Sequence, residues 1–210
     1  GLTLEDYPRP SVAVDTAVLT IADGRLSALL TLTNDAVRDA SEEWRLPGSF
    51  LHEGETLAHA VLRSLRDKAG IAGLRPRQLH VFDAPDRDDR GWVLSVAHLD
   101  VVRSDRLAAS DRTRLVPVDD LPDLRYDHST IVAFAVDALR ADYRRMPDPA
   151  GLLDPAFTMA ELRRLHEIVL GERLLPDTFR RAMLPLVEAT RELRREGRGR
   201  PAELYRLVAA

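Results

Sequence analysis

A proline-flanked break, Pro147-Asp148-Pro149, is the feature that most constrains the fold of this chain. Proline lacks a backbone N–H and disfavours helical geometry in the residue before it. The helix predicted over residues 128–145 from its apolar periodicity must therefore end at this segment. Since domains usually hold about 100–200 residues, a chain of 210 residues forms one large domain or two small ones. We predict two domains, 1–146 and 150–210.

Charge is distributed unevenly along the chain, although the net charge is only −4. Residues 1–150 carry 19 basic and 25 acidic side chains, whereas residues 151–210 carry 11 and 9. Within Thr178–Arg206 there are 8 Arg against 4 Glu, so the positive charge concentrates in this stretch. Lys68 is the single lysine of the chain. The net charge argues against an overall coating of nucleic acid, and any DNA contact is expected from the C-terminal part.

Composition excludes several classes of protein and of site. The content of 45% hydrophobic and 30% charged residues is typical of a globular chain. Without cysteine there is no disulfide framework, thiolate zinc site or cysteine nucleophile. No apolar run approaches the about 20 residues that span a bilayer, and the first residues do not resemble a signal peptide. We expect a cytoplasmic protein with no membrane partner, no metal and no cofactor.

The first domain is predicted to combine strands and helices. Its patterns indicate a hairpin of 11–21 and 26–32 around Asp23-Gly24, a strand pair of 78–82 and 92–102, and helices over 55–69 and 128–145. Gly70 follows the first helix directly, as a C-terminal cap does. The sequence therefore predicts an α+β fold.

The second domain shows the pattern of a winged helix-turn-helix. Thr158 and Glu161 have the spacing of a capping box, so a helix is predicted to begin there and to end at Gly171. Pro176 can open a second helix. Two possible strands, 187–195 and 202–208, then flank a glycine-rich basic turn.

One segment resembles the Nudix box, G-x5-E-x7-R-E-U-x-E-E-x-G-U. It runs from Leu46-Pro47-Gly48 into the first predicted helix, and the matching residues are Glu55, Arg63, Leu65, Gly70 and Ile71. An ordinary loop followed by an amphipathic helix is the alternative. The resemblance implies a Nudix domain, an α/β/α sandwich with a mixed sheet. It also implies that Glu55 and Arg63 pair to brace the loop.

The same segment departs from the box where its chemistry resides. Active members hold magnesium with three carboxylates spaced i, i+3 and i+4 on one helix face. Here these positions are Ser64, Asp67 and Lys68, so one carboxylate remains and an ammonium group replaces another. Ser49 stands in place of the first glycine of the box. We expect a domain that does not catalyse metal-assisted hydrolysis.

A wider resemblance covers nearly the whole chain. It is carried by Tyr7–Asp15, Phe82–Trp92, Asp127-His128, Thr178–Leu184 and Gly199–Arg206. These segments resemble the Nudix-related transcriptional regulators of NAD metabolism, the NrtR family. The resemblance implies a Nudix-like domain that senses ADP-ribose or a related nucleotide or sugar. It also implies a winged helix that binds operator DNA as a homodimer and controls genes of NAD metabolism.

Three arginines near the Nudix-like segment are candidates for ligand binding. Arg45 precedes Leu46, and Arg87 and Arg90 lie in the polar loop before the strand at 92–102. Guanidinium groups make fork-like contacts with diphosphates, although solvated loop charges are an equal alternative. Asp127 is predicted to be a helix N-cap.

The candidate DNA contacts lie in the second helix and the basic hairpin of the C-terminal domain. The first turns of a recognition helix present side chains to the major groove, and a solvated helix face is the alternative. Candidates on this helix are Thr178, Arg180 and Arg181, and those in the hairpin are Arg198, Arg200, Tyr205 and Arg206.

Three functions remain open at this level. A ligand-responsive DNA-binding regulator is favoured. An active Nudix hydrolase of ADP-ribose-like compounds is the alternative, and Ser64 and Lys68 argue against it. The third is a silent metabolite-binding or scaffold protein whose tail binds protein, which sequence-specific, salt-sensitive DNA binding would exclude.

Overall fold

A computed structural model of the chain describes residues 1–33, 43–108, 110–195 and 199–208. The strands are β1 (Ser11–Ala22), β2 (Arg25–Thr33), β3 (Glu43–Arg45), β4 (Gly48–Phe50), β5 (Arg77–Phe82), β6 (Val93–Val101), β7 (Thr113–Pro117), β8 (Phe157–Thr158), β9 (Val187–Arg194) and β10 (Ala202–Leu207). The helices are α1 (Leu57–Ala69), α2 (His128–Tyr143), α3 (Met159–Leu170) and α4 (Pro176–Met183). In the described segments, no helix is both long and apolar enough to cross a membrane.

Within the described residues, seven strands form one mixed sheet in the order β3-β2-β1-β6-β5, with β4 paired to β1 and β7 paired to β2. β1 and β6 run parallel, whereas the pairs β1–β4, β2–β3, β2–β7 and β5–β6 are antiparallel. Asp23 and Gly24 join β1 to β2 with φ of 50° and 72°. Positive φ at both central residues is typical of a tight hairpin turn, which confirms the hairpin predicted here.

Helices cover both faces of this sheet. Successive strand residues point to opposite faces, so Val14 and Val18 share one face of β1, and Asp15 lies on the other. Val14 and Val18 belong to the same buried cluster as Val61 of α1. Asp15 instead contacts His128, the first residue of α2. This arrangement confirms the predicted sandwich of helices around a mixed sheet.

Helix α1 has a cap at each end, of which Gly70 is predicted from the sequence and Thr56 is not. Thr56 accepts a hydrogen bond from the backbone N–H of His59, and Gly70 adopts the left-handed conformation at the other end. The helix therefore begins at Leu57 and not at Glu55, because Thr56 is the N-cap. Glu55 stays in the preceding loop, where its carboxylate is available to Arg63.

Backbone contacts divide the chain into two units, Gly1–Thr20 with Ser27–Ala135 and Ile21–Leu26 with Val136–Ala210. The division thus falls inside α2, before the prolines that mark the boundary in the sequence. The second half of α2 packs against α3, since Arg140 donates to the carbonyl of Val169 and the ring of Tyr143 contacts that of His166. The helix ends at Tyr143.

The second unit contains the predicted helix-turn-helix and hairpin. Thr158 and Glu161 form the capping box of α3, and α4 begins with Pro176. β10 lies between β9 and β8, a two-residue strand that sequence patterning did not predict. The core of this unit comprises Phe157, Leu162, Phe179, Met183, Val187 and Tyr205. Two helices followed by a three-stranded sheet make a winged helix.

Candidate functional site

The first unit contains a cavity of about 210 Å³ that is lined in part by residues of β1, β2, β3 and β4. Its lining residues are Ala13, Asp15, Thr31, Arg45, Leu46, Gly48, Ser49, Phe50, Lys68, Arg87, Asp88, Arg90, Tyr126 and His128. The three arginines singled out in the sequence all belong to this lining. With Lys68 they make four cationic side chains against two anionic ones in the lining, Asp15 and Asp88. Two further carboxylates outside the lining, Glu43 and Asp127, pair with Arg45 and Arg87.

Asp15 is the buried anion of this cavity. Its carboxylate accepts a hydrogen bond of 2.6 Å from Ser95 and lies 3.3 Å from Nε2 of His128 and 3.7 Å from Arg87. Nδ1 of His128 accepts the backbone N–H of Leu46, so Nε2 carries the proton that faces Asp15. Burial opposes the ionisation of Asp15, but His128, Ser95 and Arg87 outweigh it and lower its pKa. The carboxylate is therefore ionised at neutral pH.

Gly48 allows β4 to approach Asp15 closely. The two residues are register partners in the β1–β4 pair. A Cβ atom at position 48 would lie 2.1 Å from Oδ1 of Asp15 and 3.1 Å from the carbonyl oxygen of Val14. No side chain fits without displacing that carboxylate, so the Leu46-Pro47-Gly48 element is tied sterically to the cavity.

Arg87 pairs with two carboxylates and is almost completely buried in the wall of the cavity. Its side chain is only 3% exposed. Nε and Nη2 donate to the two carboxylate oxygens of Asp127 at 2.9 and 2.6 Å. Burial lowers the pKa of Arg87, but the two carboxylates, Asp127 and Asp15, outweigh this and raise it. Asp127 also accepts the N–H of Ile131 with its backbone carbonyl, as an N-cap residue does.

Arg45 and Arg90 reach the cavity from two different segments. Arg45 ends β3 and pairs with Glu43 at 2.6 Å. Arg90 makes a two-pronged contact with Asp88 at 2.9 and 2.7 Å, which lowers the pKa of Asp88, and its own side chain is 44% exposed. The Arg90 guanidinium lies 5.1 Å from the ring centroids of both Phe50 and Tyr126. Of the three candidate arginines, Arg90 has the most exposed side chain in this cavity.

The three degenerate box positions of α1 do not come together as a metal site. Ser64 is buried, and its hydroxyl has no hydrogen-bond partner within the described residues. Asp67 pairs with Arg66 at 3.3 Å, and Lys68 lines the cavity. Magnesium prefers oxygen ligands and is repelled by an ammonium group. The residues present therefore do not fit a divalent cation.

Glu55 and Arg63 brace the loop before α1, as the Nudix resemblance implies. Nε and Nη2 of Arg63 donate to the two oxygens of Glu55 at 2.8 and 2.9 Å. Arg63 also donates to the hydroxyl of Ser49 and the carbonyl of Phe50, and Glu55 accepts the N–H of His52. These bonds lower the pKa of Glu55 to about 2. The expected pairing is confirmed.

In the second unit, α4 presents a polar face to solvent. Thr178, Arg180 and Arg181 are exposed, whereas Phe179 and Met183 point into the core. This alternation follows from the 3.6-residue period of the helix. The helix therefore offers two cations and a hydroxyl in its first turns, the geometry of a recognition helix.

Tyr205 lies elsewhere than the sequence interpretation expected. It was predicted to contact the DNA backbone, but its residue is only 3% exposed because β10 turns it into the core beside Phe179. Only its hydroxyl reaches outward, where it accepts a hydrogen bond of 2.9 Å from Arg180 and donates one of 2.6 Å to Glu203. Tyr205 is placed to orient Arg180, not to offer its ring.

The remaining hairpin candidates have different environments. Arg206 is exposed and pairs with Glu188 across β9 and β10 at 3.0 Å. Arg200 is exposed. Arg198 lies outside the described residues.

Sequence reasoning missed several residues of the cavity, namely Asp15, Phe50, Asp88, Tyr126 and His128. Asp15, Asp88 and His128 stand inside segments that carry the NrtR resemblance, which is the signal that marks them. Tyr126 has no such signal, since its importance comes from a left-handed backbone conformation and from arginines distant in sequence.

Two family models match this chain. The NUDIX domain model matches residues 10–134, and the model of the NrtR DNA-binding winged helix domain matches residues 149–207. Together they account for both units of the structure.

Curated relatives and solved structures agree with these matches. The ADPR responsive transcriptional repressor NtrR of Acinetobacter baylyi is 31% identical over 97% of this chain and 84% of its own length. ADP-ribose pyrophosphatase of Methanocaldococcus jannaschii is 32% identical over 60% of this chain and 73% of its own.

Among crystal structures, Shewanella oneidensis NrtR complexed with a 27mer DNA superposes with a TM-score of 0.76 at 29% identity, covering 94% of this chain and 93% of that one. The NUDIX domain of the same protein complexed with ADP ribose gives a TM-score of 0.55 at 25% identity, covering 66% and 94%. This chain therefore belongs to the NrtR family, with a NUDIX domain followed by a winged helix domain.

Proposed function

We propose that this protein is an ADP-ribose-responsive transcriptional regulator. The observation that carries the proposal is that four cationic side chains, the three arginines and Lys68, line one cavity, with Arg90 the most exposed of the arginines. The diphosphate of ADP-ribose carries two negative charges at neutral pH, so the cavity and ligand are complementary. Charge-assisted hydrogen bonds from guanidinium groups to phosphate are among the stronger contacts in proteins.

The winged helix supplies the second half of the proposal. Thr178, Arg180 and Arg181 face solvent on α4, as residues that read the major groove do. Arg200 and Arg206 are exposed on the hairpin side, where they can contact phosphates. The Acinetobacter relative is a repressor responsive to ADPR, and the Shewanella structure contains DNA. We infer that this chain binds operator DNA beside genes of NAD metabolism, in the cytoplasm.

We further propose that the DNA-bound form is a homodimer. One winged helix alone offers a small patch, whereas a two-fold symmetric pair reads two half-sites. These half-sites lie about one helical turn, or a multiple of it, apart in a near-palindromic operator. The protein is expected to protect such a site in the DNA upstream of its own gene or of its target genes.

Two binding measurements on the full chain test the proposal. Calorimetry should detect binding of ADP-ribose to the protein. The Arg90→Ala substitution should lower the affinity for ADP-ribose about tenfold, because one charge-assisted bond is worth roughly 1.5–3 kcal/mol. Arg144→Ala, which removes an exposed arginine outside the cavity lining, is the matched control. Footprinting and gel shifts should show a protected site whose affinity falls steeply with salt.

The possible outcomes separate the three functions. A protected site without ADP-ribose binding contradicts the effector, and ADP-ribose binding without any protected site favours the silent metabolite-binding protein. Turnover of ADP-ribose with magnesium favours the hydrolase, which the relationship to ADP-ribose pyrophosphatase keeps as the second candidate. Ser64 and Lys68 argue against turnover, because they leave the helix face without two of its carboxylates.

A further inference from the structure

Tyr126 has an unusual backbone and an unusual set of neighbours. It precedes Asp127, the N-cap of α2, and has a φ of 59°, in the left-handed region that residues with a side chain seldom adopt. Such a conformation costs energy and persists only where the surrounding contacts impose it. Its ring centroid lies 5.6 Å from the guanidinium carbon of Arg45, 5.1 Å from that of Arg90 and 5.3 Å from that of Arg125. Cations within about 6 Å of an aromatic face are attracted to it.

The three arginines would repel one another without compensation. Each pairs with a carboxylate: Arg45 and Arg125 with Glu43, Arg125 also with Asp89, and Arg90 with Asp88. The carboxylates bind edges of the guanidinium groups, whereas the Tyr126 ring packs on all three. The ring is thus the contact that β3, the loop before β6 and the segment before α2 have in common.

Two of the three arginines belong to the cavity. Arg45, Arg90 and Tyr126 line it, and Arg125 does not. Phe50 packs on Arg90 at 5.1 Å as well. The ring therefore contacts two cavity cations at once, and it does so from within the lining.

We propose that Tyr126 is a positioning residue that holds Arg45 and Arg90 against one ring, so that both can bind the linked phosphates of one ligand. The protein then favours a diphosphate over a monophosphate, because a diphosphate offers one phosphate to each arginine. This inference rests on the proposed binding of ADP-ribose in the cavity and names the residue that selects the ligand class.

The ring and not the hydroxyl carries this role. Within the described residues, the Tyr126 hydroxyl makes no hydrogen bond that fixes an arginine. Burial raises the pKa of Tyr126, so the hydroxyl stays neutral at physiological pH. A phenylalanine at position 126 should therefore preserve ligand binding, because it keeps the aromatic ring. A leucine keeps an apolar side chain but removes the aromatic face that contacts the arginines.

Calorimetry on the full-length protein with ADP-ribose and AMP tests the inference. Tyr126→Phe should bind both within about twofold of wild type. Tyr126→Leu should lower the affinity for ADP-ribose about tenfold and the affinity for AMP about threefold or less, so the preference for the diphosphate falls. Tyr7→Leu makes the same change at an exposed position outside the cavity and should alter neither affinity.

The outcomes are distinct. An unchanged ratio of the two affinities in Tyr126→Leu overturns the inference, as does a loss in Tyr126→Phe equal to that in Tyr126→Leu. Failure of wild type to bind ADP-ribose instead contradicts the proposed function, and the inference falls with it.

If Tyr126→Leu does not fold, NMR of wild type with labelled arginines tests the same inference. The Nε–H signals of Arg45 and Arg90 should both show ring-current shifts, and both should respond to ADP-ribose more strongly than to AMP. Equal responses to the two ligands would overturn the inference.

Discussion

At the scale of single residues, the Glu55–Arg63 pair joins a loop to a helix through several charge-assisted bonds. Arg63 binds both carboxylate oxygens, and the pKa of Glu55 falls to about 2 from its usual value near 4.5. A depressed pKa means that the pair stabilises the fold above the unfolded-state pKa and loses this contribution as pH falls. The brace is therefore expected to fail in acid and to hold at neutral pH.

This predicts a specific pH dependence for Glu55→Gln. The free energy of unfolding of wild type should exceed that of the variant by a constant amount above about pH 5. The difference should shrink between about pH 4.5 and pH 2, as Glu55 becomes protonated in the folded wild type. Urea unfolding across this range measures it. Glu53→Gln removes a neighbouring charge outside the brace as a control, and a Glu55→Gln difference that is flat with pH would contradict the prediction.

A second residue-scale prediction concerns chemistry. The protein should not hydrolyse ADP-ribose in the presence of Mg²⁺ or Mn²⁺, because Ser64 and Lys68 replace two ligands and the remaining Asp67 pairs with Arg66. Chromatography of AMP release measures this. Turnover that disappears in Asp67→Ala would show that one carboxylate suffices and that the enzyme reading was correct.

At the scale of secondary-structure elements, α4 and β10 form the proposed DNA face together. The Tyr205 hydroxyl lies between Arg180 and Glu203, and Arg180 is 4.0 Å from Glu203. In the absence of DNA, a carboxylate thus occupies the neighbourhood where a phosphate would compete for the same guanidinium. Carboxylate and phosphate oxygens are equivalent acceptors for arginine in this respect.

Glu203→Gln is accordingly expected to strengthen DNA binding. Exposed ion pairs are worth roughly 0.2–1 kcal/mol, so the gain should reach at most about fivefold. Glu192→Gln on β9 removes the same charge from an exposed position and controls for general electrostatics. Fluorescence anisotropy with operator DNA compares them. Equal gains in both variants would show that Glu203 acts only through its charge, and a loss would show that it orients Arg180 productively.

The elements themselves were largely predictable, because their boundaries are set by local chemistry. Gly70, the Thr158–Glu161 box and Pro176 each act through hydrogen bonds or sterics within a few residues, and the structure has a helix end at each. Tyr205 could not be placed in this way. A tyrosine beside arginine in a basic hairpin has the pattern of a DNA contact, and only the register of β10 against β8 turns it inward.

The cavity was predictable only in part for the same reason. Arg45, Arg87 and Arg90 were found from charge and position, and all three line it. That Arg87 is neutralised by Asp127 and Asp15 depends on residues 40 and more positions away, which no local pattern reports. Tyr126 likewise depends on tertiary contacts.

At the scale of the whole molecule, binding of effector and of DNA must be coupled if the protein is a regulator. A factor by which ADP-ribose changes operator affinity is also the factor by which operator changes ADP-ribose affinity. Coupling in allosteric proteins is typically about 1–3 kcal/mol, or roughly 5–150-fold. The first 150 residues carry a net negative charge and residues 151–210 a net positive one, so we expect ADP-ribose to change the contacts that the winged helix makes with DNA.

We predict that ADP-ribose changes the affinity for operator DNA by the same factor by which operator DNA changes the affinity for ADP-ribose. Operator affinity is titrated with and without saturating ADP-ribose, and ADP-ribose affinity with and without saturating operator. Arg90→Ala should lose the effect of ADP-ribose at concentrations that saturate wild type but should bind operator as wild type does in its absence. Operator affinity that does not respond to ADP-ribose would remove the regulatory role while leaving both binding sites intact.

Lys68 has a practical consequence for following this protein in solution. It is the single lysine among the 210 residues, it is exposed, and it lines the cavity. Amine-directed reagents therefore meet one side chain, beside the cavity, in addition to the N-terminal amine of Gly1. The rate at which Lys68 is labelled, with and without a candidate metabolite and with Gly1 as the internal reference, thus reports occupancy of the native protein without any engineered probe.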